Sequence, residues 1–492
     1  MRVAVVGGGI SGFTIIRKLL SHPNFNNDLT IDLFEKDANF VVGAPYGKDT
    51  KEAIMNEHAQ DLSIFPESPD DFLVWLSQNH VEYANNDAFV PREFYGDYLF
   101  ERLSYLMDSE KVNIHESAIV DCEIDSERDI YRLQADDGQW HEAYQAVFFT
   151  IGHPPYADYY HLEGTPQYIN SPVPIDETLA HLQPDQSIGI IGTGLSALDV
   201  VKYLLKKHNW THPIRLYTDG NTPFKTVKFS RYQGQIQQSF SDEWIDSHRN
   251  QDGFISLEVM VETFLNDLKA NDIDIQRLLE LYGTGSISEI RSAIAHPDIS
   301  LGKLRRYIVM MTIYLPDLYN TLTPLDRDLY KQKYERVFNN FRSQIPVESL
   351  AFILENLDQG RLEIVTRLKS IITEDDSYQL ETENGESYHA DYLINCTGFQ
   401  FDIQKALAFD PLIKNLYQRD MLTPYYRGGA MVTWPDCQVV ASRGLMPNMY
   451  LLGHWISKIH YGNNNIHLCI KQAERVAEGF AEGFIAQYGN DE

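Results

Sequence analysis

The sequence predicts a three-layer α/β protein (ββα) of two units, the second nested inside the first and carrying a helical insertion. Three observations lead there. One glycine-rich signature occurs twice, each copy is followed by the same order of strands, and strand signals vanish through one long middle stretch.

The first signature is Gly7-Gly8-Gly9-Ile10-Ser11-Gly12, after an apolar strand at residues 3–6. The second is Gly192-Thr193-Gly194-Leu195-Ser196-Ala197, after a strand at residues 188–191. Each opens a helix with apolar periodicity. In such a strand–turn–helix the first glycine allows the tight turn, and the second lets backbone approach a diphosphate. The third small residue lets helix and strand pack closely. Free N–H groups and the positive end of the helix dipole then hold the anion. A lone G-x-G-x-x-G is weak, but a preceding strand, a following helix and a later acid strengthen it. For the first copy that acid is Glu35. It ends the strand at residues 30–34, about 20 residues on, placed to accept from an adenosine ribose. Gly7, Gly9, Ser11, Gly12 and Glu35 therefore form one expected dinucleotide site in a Rossmann-like unit, and Gly192, Gly194, Ser196 and Ala197 a second. The economical pair of cofactors is FAD on the first and NADPH or NADH on the second, with a hydride passing between them. On the second unit Asp219 follows the strand at residues 214–217 and suits the free 2′-hydroxyl of NAD. Lys225, Lys228 and Arg231 form a basic cluster just beyond, able to meet the 2′-phosphate of NADP.

The segment 112–152 reads as successive strands with a turn at Asp137-Gly138, and 362–398 reads the same way with a turn at Asn384-Gly385. Such turns between alternating strands mark an antiparallel meander. Each segment closes with an apolar strand, ending Thr150-Ile151-Gly152 in one and Thr397-Gly398 in the other, so each half reads β-α-β, meander, closing strand. Thr150 and Gly152 are expected at the FAD. The division is 1–165 for the first part of the FAD unit, 166–399 for the NAD(P) unit with its helical insertion at about 226–347, and 400–492 for the return to the FAD unit. The proline-rich stretch 153–174 reads as the linker. Helical patterns fill 257–268, 287–295, 301–315 and 326–341, and the very apolar 304–315 reads as a buried helix. Near the end, a strand at 449–453 runs into Gly453-His454. A polar turn, Tyr461-Gly462-Asn463-Asn464-Asn465, then leads into a helix over 466–484, with asparagine as N-cap. Gly453 and Asn464 are expected at the flavin, where a helix N-terminus would stabilise negative charge on the reduced ring.

The chain has 492 residues and a net charge of −29. Length suggests two to four domains. The charge argues against a nucleic-acid or anionic-membrane partner, and no apolar run approaches the ~18 residues of a membrane span. Four widely spaced cysteines, Cys122, Cys396, Cys437 and Cys469, offer no redox dithiol and no metal-ligand cluster. They fit a reducing compartment, and with a first strand at residue 2 they lead us to expect a cytoplasmic protein.

These residues resemble the FAD/NAD(P)-binding oxidoreductases with two dinucleotide domains. More closely, the chain is similar to a bacterial family described as FAD-NAD(P)-binding proteins. The resemblance runs over most of the chain. It rests on Val5 to Gly12, on Ala44-Pro45-Tyr46-Gly47, on Met55-Asn56 and Leu62-Ser63-Ile64-Phe65-Pro66, on the run from Asp70 to Leu76, on Pro91-Arg92-Glu93-Phe94-Tyr95-Gly96, and on Ile190 to Leu195. That family is similar to the flavin-dependent N-hydroxylating monooxygenases. The resemblance implies that NADPH reduces FAD, that O2 adds at flavin C4a, and that the hydroperoxide passes an oxygen to a nucleophilic, amine-like metabolite. The cofactor would carry the chemistry and the protein would orient it and exclude water, which accounts for the lack of any triad or carboxylate pair. The linker pattern of Baeyer–Villiger monooxygenases is not matched: Phe149, Gly152 and His161 lie near it, but the spacing fails. The resemblance also tips the choice of nicotinamide toward NADPH.

Among single residues, Asn56 is expected near the flavin and Arg92 at a cofactor phosphate or in an interface ion pair. Lys225 is expected at the nicotinamide phosphate. His58, His153, His454, His460 and His467 lie in segments facing the flavin, with no metal-ligand partner at i+4. His58 and His460 are the candidates for proton handling, and Lys458 for pairing an anionic substrate or the nicotinamide phosphate. No catalytic residue is fixed by this reading. The expected partners are a small-molecule substrate and O2, and oligomeric state is left open. Two rivals stay in view: a reductase or dehydrogenase that shields its flavin from O2, and a non-catalytic flavin redox sensor.

Overall fold

The computed structural model describes residues 1–25 and 29–488. The first unit is a six-stranded sheet in the order Gln438–Ala441, Gly444–Leu451, Ala146–Phe149, Arg2–Val6, Thr30–Phe34, Val112–His115. All its pairings are parallel except the one between the two C-terminal strands. The second unit is a five-stranded, wholly parallel sheet in the order Leu362–Val365, Ile214–Tyr217, Ile188–Ile191, Tyr392–Asn395, Tyr168–Ile169. Every strand of the second sheet falls in sequence between strands of the first, as nesting requires.

The cores follow the same division. One apolar cluster runs from Val3 to Phe149 and resumes from Ile403 to Ala481. Another is built almost wholly from the second sheet, its helices and the insertion. We propose the handovers at residues 165 and 399. In the first unit the helix Ile10–Ser21 lies beside the final helix Ile466–Tyr488, and the ion pairs Arg17–Glu474 (2.7 Å) and Lys18–Glu478 (2.9 Å) join their solvent edges.

Two readings of the meanders change. Val112–His115 and Leu362–Val365 are edge strands of the parallel sheets, not meander strands. The meanders are Ile119–Asp125, Ile130–Ala135, Trp140–Tyr144 and Leu368–Thr373, Tyr378–Thr382, Ser387–Ala390. A one-strand shift of this kind leaves no mark in sequence, because half-buried edge strands alternate just as meander strands do. The linker 153–174 is not all linker, since Tyr168–Ile169 pairs with Tyr392–Asn395 as the far edge of the second sheet.

The insertion is helical, with Leu257–Ala270, Ile287–Ala295 and Ile299–Thr312 near their expected places and Asp242–His248 and Ile275–Tyr282 in addition. The stretch expected as one helix over 326–341 is two, Pro324–Lys333 and Glu335–Arg342, broken at Tyr334. In Ile299–Thr312 the residues Leu301, Leu304, Tyr307, Ile308 and Met311 are buried, as a core helix with one apolar stripe demands. A short parallel pair, Val227–Lys228 with Ile345–Pro346, clamps the two ends of the insertion together.

The insertion is fastened to the first unit by charge. Lys228, 2% exposed, donates to Glu57 (3.0 Å) and to the Asn56 carbonyl, and Arg305 donates to Glu57 from the other side (3.3 Å). Arg231 donates to Asp61 (2.7 Å). Burial alone would raise the Glu57 carboxyl, but Lys228 and then Arg305 overcome it and hold the group at about 2. Removing one member of such a cluster strands the others. Glu57→Gln is therefore expected to cost about 3 kcal/mol at neutral pH, read as a lower urea midpoint. A carboxyl depressed in the folded state gives its stability above its unfolded pKa of about 4.3 and loses it on acidification. The gap between the two proteins should be full at pH 7 and close as pH falls toward about 2. A gap that is absent at pH 7, or constant into acid, would remove this joint from the account.

Candidate functional site

Both glycine signatures fold alike. Gly7 and Gly192 take positive φ values of 107° and 111°. Their amides donate to the ends of the neighbouring strands, Gly7 to the Phe34 carbonyl and Gly192 to the Tyr217 carbonyl, each at 2.8 Å. A Cβ on Gly7 would stand far inside contact distance of the Thr150 carbonyl oxygen, and one on Gly192 would do the same at Cys396. Gly12 is equally constrained, by the Gly7 carbonyl.

The middle glycines differ. Gly9 and Gly194 have φ of −83° and −76°, which any residue adopts. A Cβ on Gly194 would meet nothing within 4 Å, and one on Gly9 only the Gly43 Cα at 3.8 Å. The protein's own packing does not require glycine at either place. The space is kept for something that approaches the backbone, which is the role a diphosphate gives the second glycine.

The helix ends agree. In the insertion, six helices carry a side-chain cap at the N-terminus, Ser241, Ser256, Asp274, Ser286, Asp298 and Thr323, and the two without one, Leu315–Thr321 and Glu335–Arg342, have an acid in the first turn. The helices opening at Ile10 and Leu195 have no such cap, and no acid in the first turn. Their first amides stay free for an anion at the positive end of the dipole. The residues present thus fit two dinucleotides. Glu35 stands at the rim of the first cradle, its carboxylate accepting from the Gly8 amide (2.7 Å) and the Asp37 amide (3.2 Å). Ser11 and Ser196 lie half-buried on the first turns, the latter beside the Tyr156 hydroxyl.

The closing strands lead to the space between the two cradles. Thr150 donates its hydroxyl to the Gly7 carbonyl (2.7 Å). Gly152, exposed at φ 70°, adjoins Gly453, whose Cβ position lies 3.3 Å from the Gly152 carbonyl oxygen. His153 and His454 follow these glycines with ring centroids 4.0 Å apart, and Phe399 lies 4.6 Å from His153. Phe399 follows Gly398 as His153 follows Gly152, so equivalent residues of the two closing strands meet. Burial, with Arg92 nearby, lowers His153 to about 4. Burial, then His153 and His460, lowers His454 to about 3. Burial raises Tyr156 to about 12. At neutral pH these groups are all uncharged.

Several expected residues are engaged elsewhere. Arg92 donates to Asp199 (2.8 Å), on the helix of the second signature, and to the Ile54 carbonyl (3.2 Å). It makes the interface ion pair. His58 is fully buried, with its ring nitrogens 3.0 and 3.1 Å from the Asp87 and Phe229 carbonyl oxygens, so it has no free position for proton transfer. His460 is 2% exposed beside Trp434, and burial lowers it to about 3. Lys458 is exposed over the Phe401 ring. Asn56 contributes its carbonyl to Lys228. The Asn464 side chain accepts from Arg342 at 3.5 Å, and the cap of the last helix is Asn465, which accepts from the His467 and Leu468 amides. His467 reaches the Asp61 carbonyl.

The basic cluster also dissolves. Lys228 and Arg231 serve the ion pairs described above, and Lys225 lies half-buried near Arg336. The position equivalent to Glu35 is Thr218, not Asp219: the Glu35 amide donates to His115 and the Thr218 amide to Val365, each at 3.0 Å on the neighbouring edge strand. Beside Thr218 lies Arg367, exposed, whose amide donates to Gly220 (3.2 Å) and whose side chain donates to Asn221 (2.7 Å). Counting from the last apolar strand residue in each unit would have found Thr218. Nothing local in the sequence marks Arg367, which comes from the next strand over. Among the described residues no group of three or more His, Cys, Asp or Glu side chains could hold a metal, and no helix is long and apolar enough to cross a membrane.

Residues 4–154 match the family described as FAD-NAD(P)-binding. No curated protein matches the sequence. Among solved structures, the chain is similar to the ornithine N-hydroxylase of Kutzneria sp. 744, with a TM-score of 0.59 at 14% identity over 98% of each chain; that structure holds reduced FAD, NADP+ and L-ornithine. It is similar to L-lysine 6-monooxygenase from Pseudomonas syringae, with a TM-score of 0.61 at 15% identity, covering 98% of this chain and 99% of that one. It is also similar to the cadaverine monooxygenase of Erwinia amylovora, with a TM-score of 0.60 at 13% identity, covering 98% and 94%. The fold over the whole chain is that of the two-dinucleotide-domain flavin monooxygenases.

The open middle glycines separate cofactor binding from folding. Gly9→Ala is expected to purify with far less FAD than the wild type while the melting temperature of the cofactor-free proteins stays the same. Gly194→Ala should keep its FAD and lose nicotinamide binding. Gly7→Ala, where φ is 107°, should not fold stably at all. Full flavin in Gly9→Ala would sink the assignment of the first cradle.

Proposed function

We propose that this protein is an FAD-dependent, NAD(P)H-consuming monooxygenase that oxygenates a small amine-like metabolite. One observation carries the reading: two uncapped helix N-termini, each preceded by a glycine whose Cβ position is uncrowded, in a single chain. Two dinucleotides in one protein favour hydride transfer between them. The choice of an oxygenase over a plain reductase is supported by the fold shared with amine hydroxylases, and by four free cysteines with no dithiol pair to act as an alternative acceptor.

FAD, when bound, supplies hydride acceptance and oxygen activation. The chain supplies the rest. The amides at Gly9 to Gly12 bind its diphosphate, and Glu35 receives the ribose. The amides at Gly194 to Ala197 bind the nicotinamide dinucleotide. Arg92, paired with Asp199, keeps the second helix at a set distance from the first unit. His153, His454, Phe399 and Tyr156 wall the space between the cradles with neutral, largely buried rings and exclude water. NADPH is the favoured nicotinamide. An acid at the Glu35-equivalent position would repel a 2′-phosphate, and the residue there is Thr218. Arg367, with a guanidinium bound by a neutral amide oxygen, lies beside it.

Two measurements test this. FAD-loaded protein is reduced anaerobically with NADPH or NADH and then mixed with O2 in a stopped-flow instrument. A transient absorbance distinct from both reduced and oxidised flavin, decaying faster with L-ornithine, L-lysine or cadaverine, is the expected result. Direct return to oxidised flavin would favour the reductase, and no reduction by either nicotinamide would overturn the two-cofactor scheme. Separately, Arg367→Ala should raise KM for NADPH roughly tenfold, the scale of one charge-assisted hydrogen bond, and leave KM for NADH unchanged. An equal rise for both would remove Arg367 from 2′-phosphate recognition.

A further inference from the structure

A cavity of about 310 Å³ lies between the helical insertion and the returning C-terminal stretch, and no residue of either glycine signature lines it. Its size is at the lower end of small-molecule sites. Met431, Val432, Trp434 and Ile459 give it an apolar wall, and Arg249, Arg327 and Arg475 bring three guanidinium groups to it against one lining carboxylate, Asp317.

That carboxylate is already committed. Asp317 accepts from Arg475 (2.9 Å) and from the Trp434 indole N–H (2.8 Å), with Lys471 at 4.0 Å. Arg327 has neutral acceptors: the Tyr319 carbonyl (3.2 Å), the Asn320 carbonyl (2.9 Å) and, weakly, the Tyr425 hydroxyl (3.3 Å). Arg249 donates to the Gly253 carbonyl (3.0 Å) and meets an 80% exposed Asp246 at 3.6 Å, a surface pair of little strength. In a chain of net charge −29, this is a local excess of cation facing an apolar-walled hollow. Each Nη of Arg327 keeps a second N–H beyond its bonds to Tyr425 and Asn320, able to make a charge-assisted hydrogen bond to a carboxylate, and the wall asks for a hydrocarbon body.

We propose that this cavity binds a small organic monocarboxylate, the carboxylate on Arg327 and the apolar body against Trp434 and Val432. The proposal is independent of what the dinucleotides do. It has a physical link to them. Asn320, on the cavity wall, donates to the Ile459 carbonyl (2.7 Å), and Trp434 lies against His460 (5.3 Å). Asn463 ties that segment back to the Gly453 carbonyl (2.8 Å). An occupant would bear on the segment that carries His454.

The test is isothermal titration of the full-length protein with benzoate, benzamide and inorganic phosphate. Benzoate is expected to bind saturably at millimolar concentrations or below, and the uncharged benzamide not to bind. Arg327→Gln should weaken benzoate roughly tenfold or more, the scale of a lost charge-assisted contact. Met431→Trp, which fills the hollow from a partly exposed position and leaves every arginine in place, should abolish binding and decides the matter if Arg327→Gln unfolds. No benzoate binding, equal binding of benzamide, or benzoate binding unchanged by Met431→Trp would overturn the proposal. So would tight phosphate binding in place of benzoate.

Discussion

In each half a peptide carbonyl presses on a glycine that has no room for a side chain, and the rest of the site follows from that contact. Gly7 stands against Thr150 and Gly192 against Cys396. The contact locks the closing strand to the first strand at its C-terminal end, where parallel strands deliver their loops to one edge. The chain then leaves each closing strand through another positive-φ glycine, Gly152 at 70° and Gly398 at 102°. His153 and Phe399 come next, and they touch. One backbone approach, used twice, thus fixes both cradles and brings equivalent residues of the two units face to face. Gly9 and Gly194 carry no such structural duty, which is why their openness speaks of a ligand and that of Gly7 does not.

Two units so arranged must be held at a working distance, and buried charge does this. Arg92 joins Asp199 across the gap. Lys228, Arg305 and Arg231 of the insertion close on Glu57 and Asp61 of the first unit. Such pairs add little net stability, because desolvation offsets most of their attraction. Their value lies in what they forbid, since any other docking angle would leave a lysine or arginine stranded in a dry interface. Lys228 and Arg231, two of the three cations that looked like phosphate ligands in sequence, fasten the insertion, whose ends are drawn together by the two-residue pair at Val227–Lys228 and Ile345–Pro346.

The repeated architecture was readable because it is written in short-range terms. Strand, glycine turn and helix are neighbours in sequence, and Thr30–Phe34, Ile188–Ile191 and Ile214–Tyr217 stand where alternation and apolar runs put them. What escaped were pairings between distant segments. Tyr168–Ile169 is two residues long and becomes a strand only against Tyr392–Asn395. Arg92 offers no local sign of whether its partner is a phosphate or an aspartate 107 residues away. His58 and His460 lie in segments read as facing the flavin, and tertiary packing buries both. Arg367 joins Thr218 across two strands of one sheet, a proximity set by register and not by spacing.

The neutrality of the inter-cradle space bears on the kind of substrate it can process. His153 and His454 are held uncharged by burial, and the Tyr156 hydroxyl stays protonated. Arg92 is the nearby cation, and its charge is answered by Asp199. An ammonium ion entering such a space gives up hydration, so desolvation favours its loss of a proton. An amine must be in that neutral form to present a lone pair to an oxygen donor. On the proposed reading, the histidine–phenylalanine wall favours the neutral amine by withholding hydration from its charged form, and the proton leaves to solvent as the amine enters.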